Sequence, residues 1–138
     1  MNIKLSKSVQ DAINYSKEEA VRLGNEYLSP EHLFLGLLRE GKGIAVDLLN
    51  KLNVDLREVK KRIENRIKDG GKELNFYNID NIKVHESTQR IQNFMNLEAK
   101  SMQSEEVNSG HLLLAILRVP SPLSQLFNDM DVDYELIK

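Results

Sequence analysis

At 138 residues, with 41% apolar and 29% charged side chains, the chain has the make-up of one ordinary globular domain, or of two small units sharing a core. It has no cysteine, which excludes disulfides, thiol catalysis and Cys-ligated zinc and fits a reducing cytoplasm. Its net charge is −2, and neither half is charged strongly enough to point to a polyanionic partner.

Met1-Asn2-Ile3-Lys4-Leu5-Ser6 lacks the apolar stretch of a signal peptide, so the expected compartment is cytoplasmic. Ser6 or Ser8 can cap a first helix whose inward face is Val9, Ala12, Ile13, Ser16, Ala20 and Leu23, with Gly24-Asn25 as its stop. Ser29 then caps, and Pro30 opens, a second helix. Between His32 and Arg39 this helix is apolar or Gly at every position, so it has no face for water and belongs in the core. It is too short to span a bilayer, which takes ~20 apolar residues. Gly41-Lys42-Gly43 breaks it. Ala45, Leu48, Leu49 and Leu52 mark a short third helix, and Asp55-Leu56-Arg57-Glu58 reads as a capping box for a fourth. That fourth helix turns Leu56, Val59, Ile63 and Ile67 inward and Arg57, Lys60, Lys61, Arg62, Arg66 and Lys68 outward. Glu58 and Glu64 interrupt this basic run and no aromatics interleave, so it reads as a solvated face and not a nucleic-acid site.

Residues 70–82, from Gly70-Gly71 onward, read as a linker; Phe76, Tyr77 and Ile79 are apolar enough to pin it in an ordered state. From Lys83 the pattern starts again. A shift of 79 carries Lys4–Arg39 onto Lys83–Arg118 without a gap, pairing Val9 with Thr88, Tyr15 with Phe94 and His32 with His111; beyond it the shift is 78, pairing Leu49 with Phe127. Asn108-Ser109 starts the second buried helix, His111–Arg118. The expected fold is all-α: a tandem duplication of a four-helix unit, about eight helices, closing into one compact pseudo-two-fold domain. The first repeat is 1–69, the linker 70–82 and the second repeat 83–138, cut short in its last helix, which suggests a fragment of a longer protein. Gly36 and Ala115 hold matching places on the buried helices, where small residues allow close backbone approach, either between the repeats or within each bundle.

Ser29-Pro30-Glu31-His32-Leu33-Phe34-Leu35-Gly36-Leu37-Leu38-Arg39-Glu40-Gly41-Lys42-Gly43, set in this tandem repeat, resembles the N-terminal domain of Clp-type AAA+ unfoldases. Glu18-Glu19-Ala20 with Leu23-Gly24 is similar to that family's first helix. The Arg39–Gly43 ending is most like the ClpC branch, with ClpA or ClpB parentage open. The resemblance implies a mobile recognition module at the entrance of a hexameric, ATP-driven unfoldase. Such a module docks adaptor proteins and protein substrates before they are threaded towards a partner peptidase. It needs no cofactor itself; ATP and Mg belong to the longer parent.

In ClpC-like members the resemblance further implies a site for phosphorylated arginine. The Glu of the Glu-His motif receives the guanidinium and the buried helix's N-terminus lies near the phosphate. Here that places the candidate ligand or peptide site at Ser29 and Glu31. The second copy has Gly110 where the acid should be, so at most one such site is expected.

His32 and His111 are expected to be core histidines bonded to backbone rather than metal ligands, and His85 an exposed helix-start residue. Glu18-Glu19 and Glu105-Glu106 read as ordinary surface charge, and Glu18, Glu19, Glu26, Glu31 and Glu40 as acidic edges for a basic adaptor. No phosphate-cradling loop, nucleophile triad or acid pair is present, so the chain has no catalytic residues of its own. The fragment is expected to be a monomer without nucleic-acid or membrane partners, the parent a hexamer. The alternative is a stand-alone Clp-repeat module that binds peptides or partners with no ATPase attached; a ligand-binding regulatory domain is a third, weaker reading.

Overall fold

The computed structural model describes residues 4–25, 27–67, 83–132 and 135. The elements run β1 Lys4–Leu5, α1 Lys7–Arg22, β2 Tyr27–Leu28, α2 Pro30–Glu40, α3 Ile44–Lys51, α4 Leu56–Ile67, β3 Lys83–Val84, α5 Glu86–Ser101, β4 Glu106–Val107, α6 Ser109–Arg118 and α7 Pro122–Asp129. The architecture is all-α, as expected. The linker over 70–82 and the end of the last helix lie outside the described residues. Among the described residues no helix is long and apolar enough to cross a membrane.

Helix boundaries follow local chemistry. The Ser6 hydroxyl accepts from the Val9 N–H at the start of α1, and Gly41 ends α2 with a left-handed φ of 71°. The core is built on α2 and α6, whose residues from His32 to Leu37 and from His111 to Leu117 are all buried. The face of α1 is inward at Val9, Ala12, Ser16 and Ala20 as periodicity predicts. Leu52 departs from expectation: it stands just past the end of α3 and is exposed.

What the helical periodicity could not show is a set of two-residue strands, four among the described residues, that tie the repeats together. β1 pairs in parallel with β4, and β2 with β3. These two pairings are images of each other under the shift of 79: Lys4 faces Glu106, and Tyr27 faces Lys83. The next hydrogen bond repeats as well, from Ser6 N–H to the Val107 carbonyl (2.9 Å) and from His85 N–H to the Leu28 carbonyl (3.1 Å). Each repeat thus lends its leading strand to the other, which gives the duplication a physical two-fold.

Helix packing continues the exchange. The rings of Phe34 on α2 and Phe127 on α7 meet edge to face at 5.0 Å. On the other side α3 packs against α6, where the Ala45 N–H donates to the buried Ser109 Oγ at 3.1 Å. Ser109→Ala leaves that buried N–H unpaired and is expected to cost about 1–2 kcal/mol in urea denaturation. Gly36, by contrast, serves its own bundle: a Cβ there would collide with the Ala12 carbonyl of α1.

Each buried helix ends in the same anchor. The Arg39 guanidinium lies 4.6 Å over the Tyr15 ring, and that of Arg118 4.5 Å over Phe94. Arg39 pairs with Glu18 (3.2 Å) and more loosely with Glu19 (3.9 Å); Arg118 pairs with Glu98 (3.0 Å). Glu19 and Glu98 are buried. Glu19 is therefore not surface charge or a free acidic edge. Its carboxylate is also held by Arg22 at 2.8 Å, and its partner in the duplication is Glu98, not Glu105 or Glu106.

Candidate functional site

The start of α2 carries both residues singled out from the sequence, in different states. Ser29 is the N-cap, and its hydroxyl is committed: Oγ lies 2.8 Å from His32 Nδ1 and accepts from the His32 N–H. The Ser29 N–H donates to the same Nδ1 at 2.9 Å. Because Nδ1 accepts a backbone proton, the imidazole proton belongs on Nε2, where it is donated to Asn25 Oδ1 at 2.8 Å. Asn25 in turn donates from Nδ2 to the Ile67 carbonyl at the end of α4 (2.8 Å).

His32 thus fills the place that Glu or Gln takes in a capping box, and His111 repeats it by accepting from the Asn108 N–H at 3.0 Å. Both histidines are bonded to backbone, in accord with the sequence reading. Burial drives the His32 imidazole down to about 4 and lowers His111 as well, while Glu19 and Glu98 respectively pull them back up. No group of three metal-ligating side chains occurs among the described residues.

Glu31 is the group left unanswered. It is 7% exposed, and its Oε1 has no hydrogen-bond partner among the described residues. Burial pushes its carboxyl above the usual range. Its own backbone N–H, and then the electrostatic influence of Arg66 and of His85, draw it back down. Arg66 comes from the end of α4, where it donates to the Pro122 carbonyl at 3.1 Å. His85 is the exposed N-cap of α5, its Nδ1 accepting from the Ser87 N–H. One corner thus gathers a helix N-terminus, a buried carboxylate and two basic side chains from both repeats. Sequence reasoning placed Glu31 here but missed Arg66 and His85, since neither is near it along the chain.

The matching corner of α6 is built differently. Gly110 removes the acid, and Ile44 of α3 closes on the vacated space, its Cγ2 3.4 Å from where a Gly110 Cβ would stand. The two helix starts are equivalent in capping and unlike in chemistry.

The sequence profile of the Clp repeat (R) N-terminal domain matches residues 4–130. Over 133 residues the chain is 31% identical to a probable ATP-dependent Clp protease ATP-binding subunit of Chlamydia pneumoniae, covering 94% of this chain and 15% of that protein. It is 29% identical over 115 residues to the negative regulator of genetic competence ClpC/MecB of Bacillus subtilis (strain 168), covering 83% of this chain and 14% of that one. The chain thus spans about 15% of the length of such relatives. The Hsp104 N-terminal domain of Candida albicans shares the fold, with a TM-score of 0.79 at 16% identity over 98% of this chain and 87% of that one. Two repeats joined by exchanged strands, each with a buried helix opened by a histidine capping box, and a profile match over nearly the whole length lead to one assignment: the chain belongs to the Clp repeat N-terminal domain family.

Proposed function

We propose that this chain is the adaptor- and substrate-recognition domain of an ATP-dependent Clp unfoldase, and that the corner at Glu31 docks phosphoarginine-marked substrates. The single observation that carries the site is the buried Glu31 carboxylate, whose Oε1 lacks a hydrogen-bond partner among the described residues. A buried acceptor of this kind is costly unless a donor arrives, and a guanidinium supplies a fork of N–H donors at the matching geometry. The phosphate of the same ligand would lie towards the N-terminus of α2, with Arg66 adding positive charge. Pro30 lacks an N–H, but that donor is one of several terminal ones and its loss leaves the others. Relatives whose names include an ATP-binding subunit of a Clp protease support the wider reading. ATP and Mg would belong to the longer protein, and the chain's own part is binding in the cytoplasm, not catalysis.

Calorimetric titration of the chain with phosphoarginine tests this. One site per chain is expected, with binding lost in Glu31→Ala and free arginine binding far more weakly. Two equivalent sites, or binding untouched by Glu31→Ala, would overturn the reading.

A further inference from the structure

A second surface of the first repeat has the form of a docking site. A cleft of about 260 Å³ opens where the carboxyl-terminal half of α2 meets α3 and the start of α4. Buried Leu35 is its floor, half-buried Leu38, Val46 and Leu56 its walls. Glu19 and Arg39 close the α1 side, already engaged with each other and with Arg22, Glu18 and Tyr15. On the α4 side stand Arg57 and Lys60, three residues apart and so on one face of the helix. Both are exposed, and among the described residues neither makes an ion pair, whereas Arg62 on the same helix is paired with Glu58.

Three apolar walls open to water beside two uncommitted cations point to an amphipathic partner of negative charge. The volume lies below the ~300–1,000 Å³ usual for small-molecule sites and suits one or two apolar side chains. The duplication supplies a comparison: at the shift of 78, Val46 is matched by Ser124 and Arg57 by Glu135, whereas Leu56 is matched by Tyr134 and Lys60 by Lys138, so the second repeat differs at one apolar wall and at one of the two cations. The Val46 wall and the Arg57 cation are therefore particular to the first repeat, while the other cleft positions keep their character in both.

We infer that this cleft docks an acidic peptide segment of a partner protein, seating one leucine- or phenylalanine-sized side chain between Leu38, Val46 and Leu56 while flanking Asp or Glu carboxylates pair with Arg57 and Lys60. The inference deepens the recognition-domain reading but does not use the Glu31 corner, which lies about 10 Å away along α2.

The test is fluorescence anisotropy of a labelled peptide, Gly-Glu-Asp-Leu-Leu-Glu-Asp-Gly, with the 138-residue chain. The expected result is saturable binding that weakens with added salt and falls about ten-fold in an Arg57→Glu, Lys60→Glu double variant. A peptide with Gln and Asn in place of Glu and Asp should bind about as poorly. Val46→Glu should abolish the seat, and Glu31→Ala should leave this binding unchanged even where it removes phosphoarginine. Because Arg57 and Lys60 are exposed, the double variant is expected to keep the wild-type melting profile, so a loss of binding is not a loss of fold. Absence of binding, equal binding of the neutral peptide, or indifference to the double variant overturns the proposal. So does concentration-dependent self-association that the double variant removes, which would assign the cleft to a second copy of the chain.

Discussion

Gly36→Ala lowers the stability of the chain by about 4 kcal/mol in urea denaturation followed by far-ultraviolet circular dichroism. Helix propensity alone predicts the opposite sign, since Ala is favoured over Gly within a helix by ~1 kcal/mol. Packing decides against it. A Cβ at Gly36 would collide with the Ala12 carbonyl oxygen and stand 2.9 Å from Ser16 N and 3.0 Å from Ser16 Cβ. The first two are backbone of α1 and the third is a carbon attached to it, so no flexible side chain can swing away. The helices themselves must part, loosening the contacts of Leu33, Phe34 and Leu37 at the centre of the core. Two comparisons separate this from a general intolerance of change. Gly41→Ala introduces strain at a φ of 71° without entering the core, and is expected to cost about 1–2 kcal/mol. Ala115→Gly, at the matching place in the second repeat, should cost about 1 kcal/mol. A Gly36→Ala chain as stable as the parent would show that α1 and α2 are not in backbone contact.

The close contact at Gly36 also shows what a single sequence can and cannot carry. The duplication, the two buried helices and their starts were legible, because each rests on local chemistry: a capping residue, a run without a polar face, a recurring interval. Whether Gly36 faced its own bundle or the other repeat was not, since a missing side chain leaves no periodicity to say which backbone approaches. The strands escaped for a related reason. Lys4-Leu5 and Tyr27-Leu28 are too short for alternation to register, and their pairing joins segments far apart in the chain, Lys4 with Glu106 and Tyr27 with Lys83. Glu19 was misread because it follows Glu18 on a charged stretch. The signal that would have corrected it was present, since the shift of 79 carries Tyr15, Glu19 and Arg39 together onto Phe94, Glu98 and Arg118. At the candidate site Glu31 was legible from its motif, but the electrostatic influence of Arg66 and His85 on it arises only through the packing of α4 and α5.

The histidine caps lead to the other large effect. Stability should be highest above about pH 6.5 and fall as the pH is lowered towards 4, and a Gln at position 32 should remove most of that fall. The sign follows from where protons bind. Unfolded, His32 takes up its proton near its ordinary value of 6.5; folded, it resists until about 4. Between these values the unfolded chain holds the extra proton, so acid favours unfolding, and the gap corresponds to about 3 kcal/mol. Protonation would cost this much because Nδ1 would have to give up the Ser29 N–H, leaving two donors facing each other inside the fold. His111 is lowered by burial too and adds a slope of the same sign. Glu31 acts the other way: its raised carboxyl binds a proton more readily in the folded state, which recovers some stability as the pH falls towards 4.5. His32→Gln keeps a side chain able to accept the Ser29 N–H in a capping box, so at pH 7.5 it should lie within about 1 kcal/mol of the parent. Urea denaturation of both chains across this range reads the difference directly. Parallel pH profiles would mean that His32 is protonated as easily folded as unfolded, and its imidazole could not then be the acceptor that opens α2.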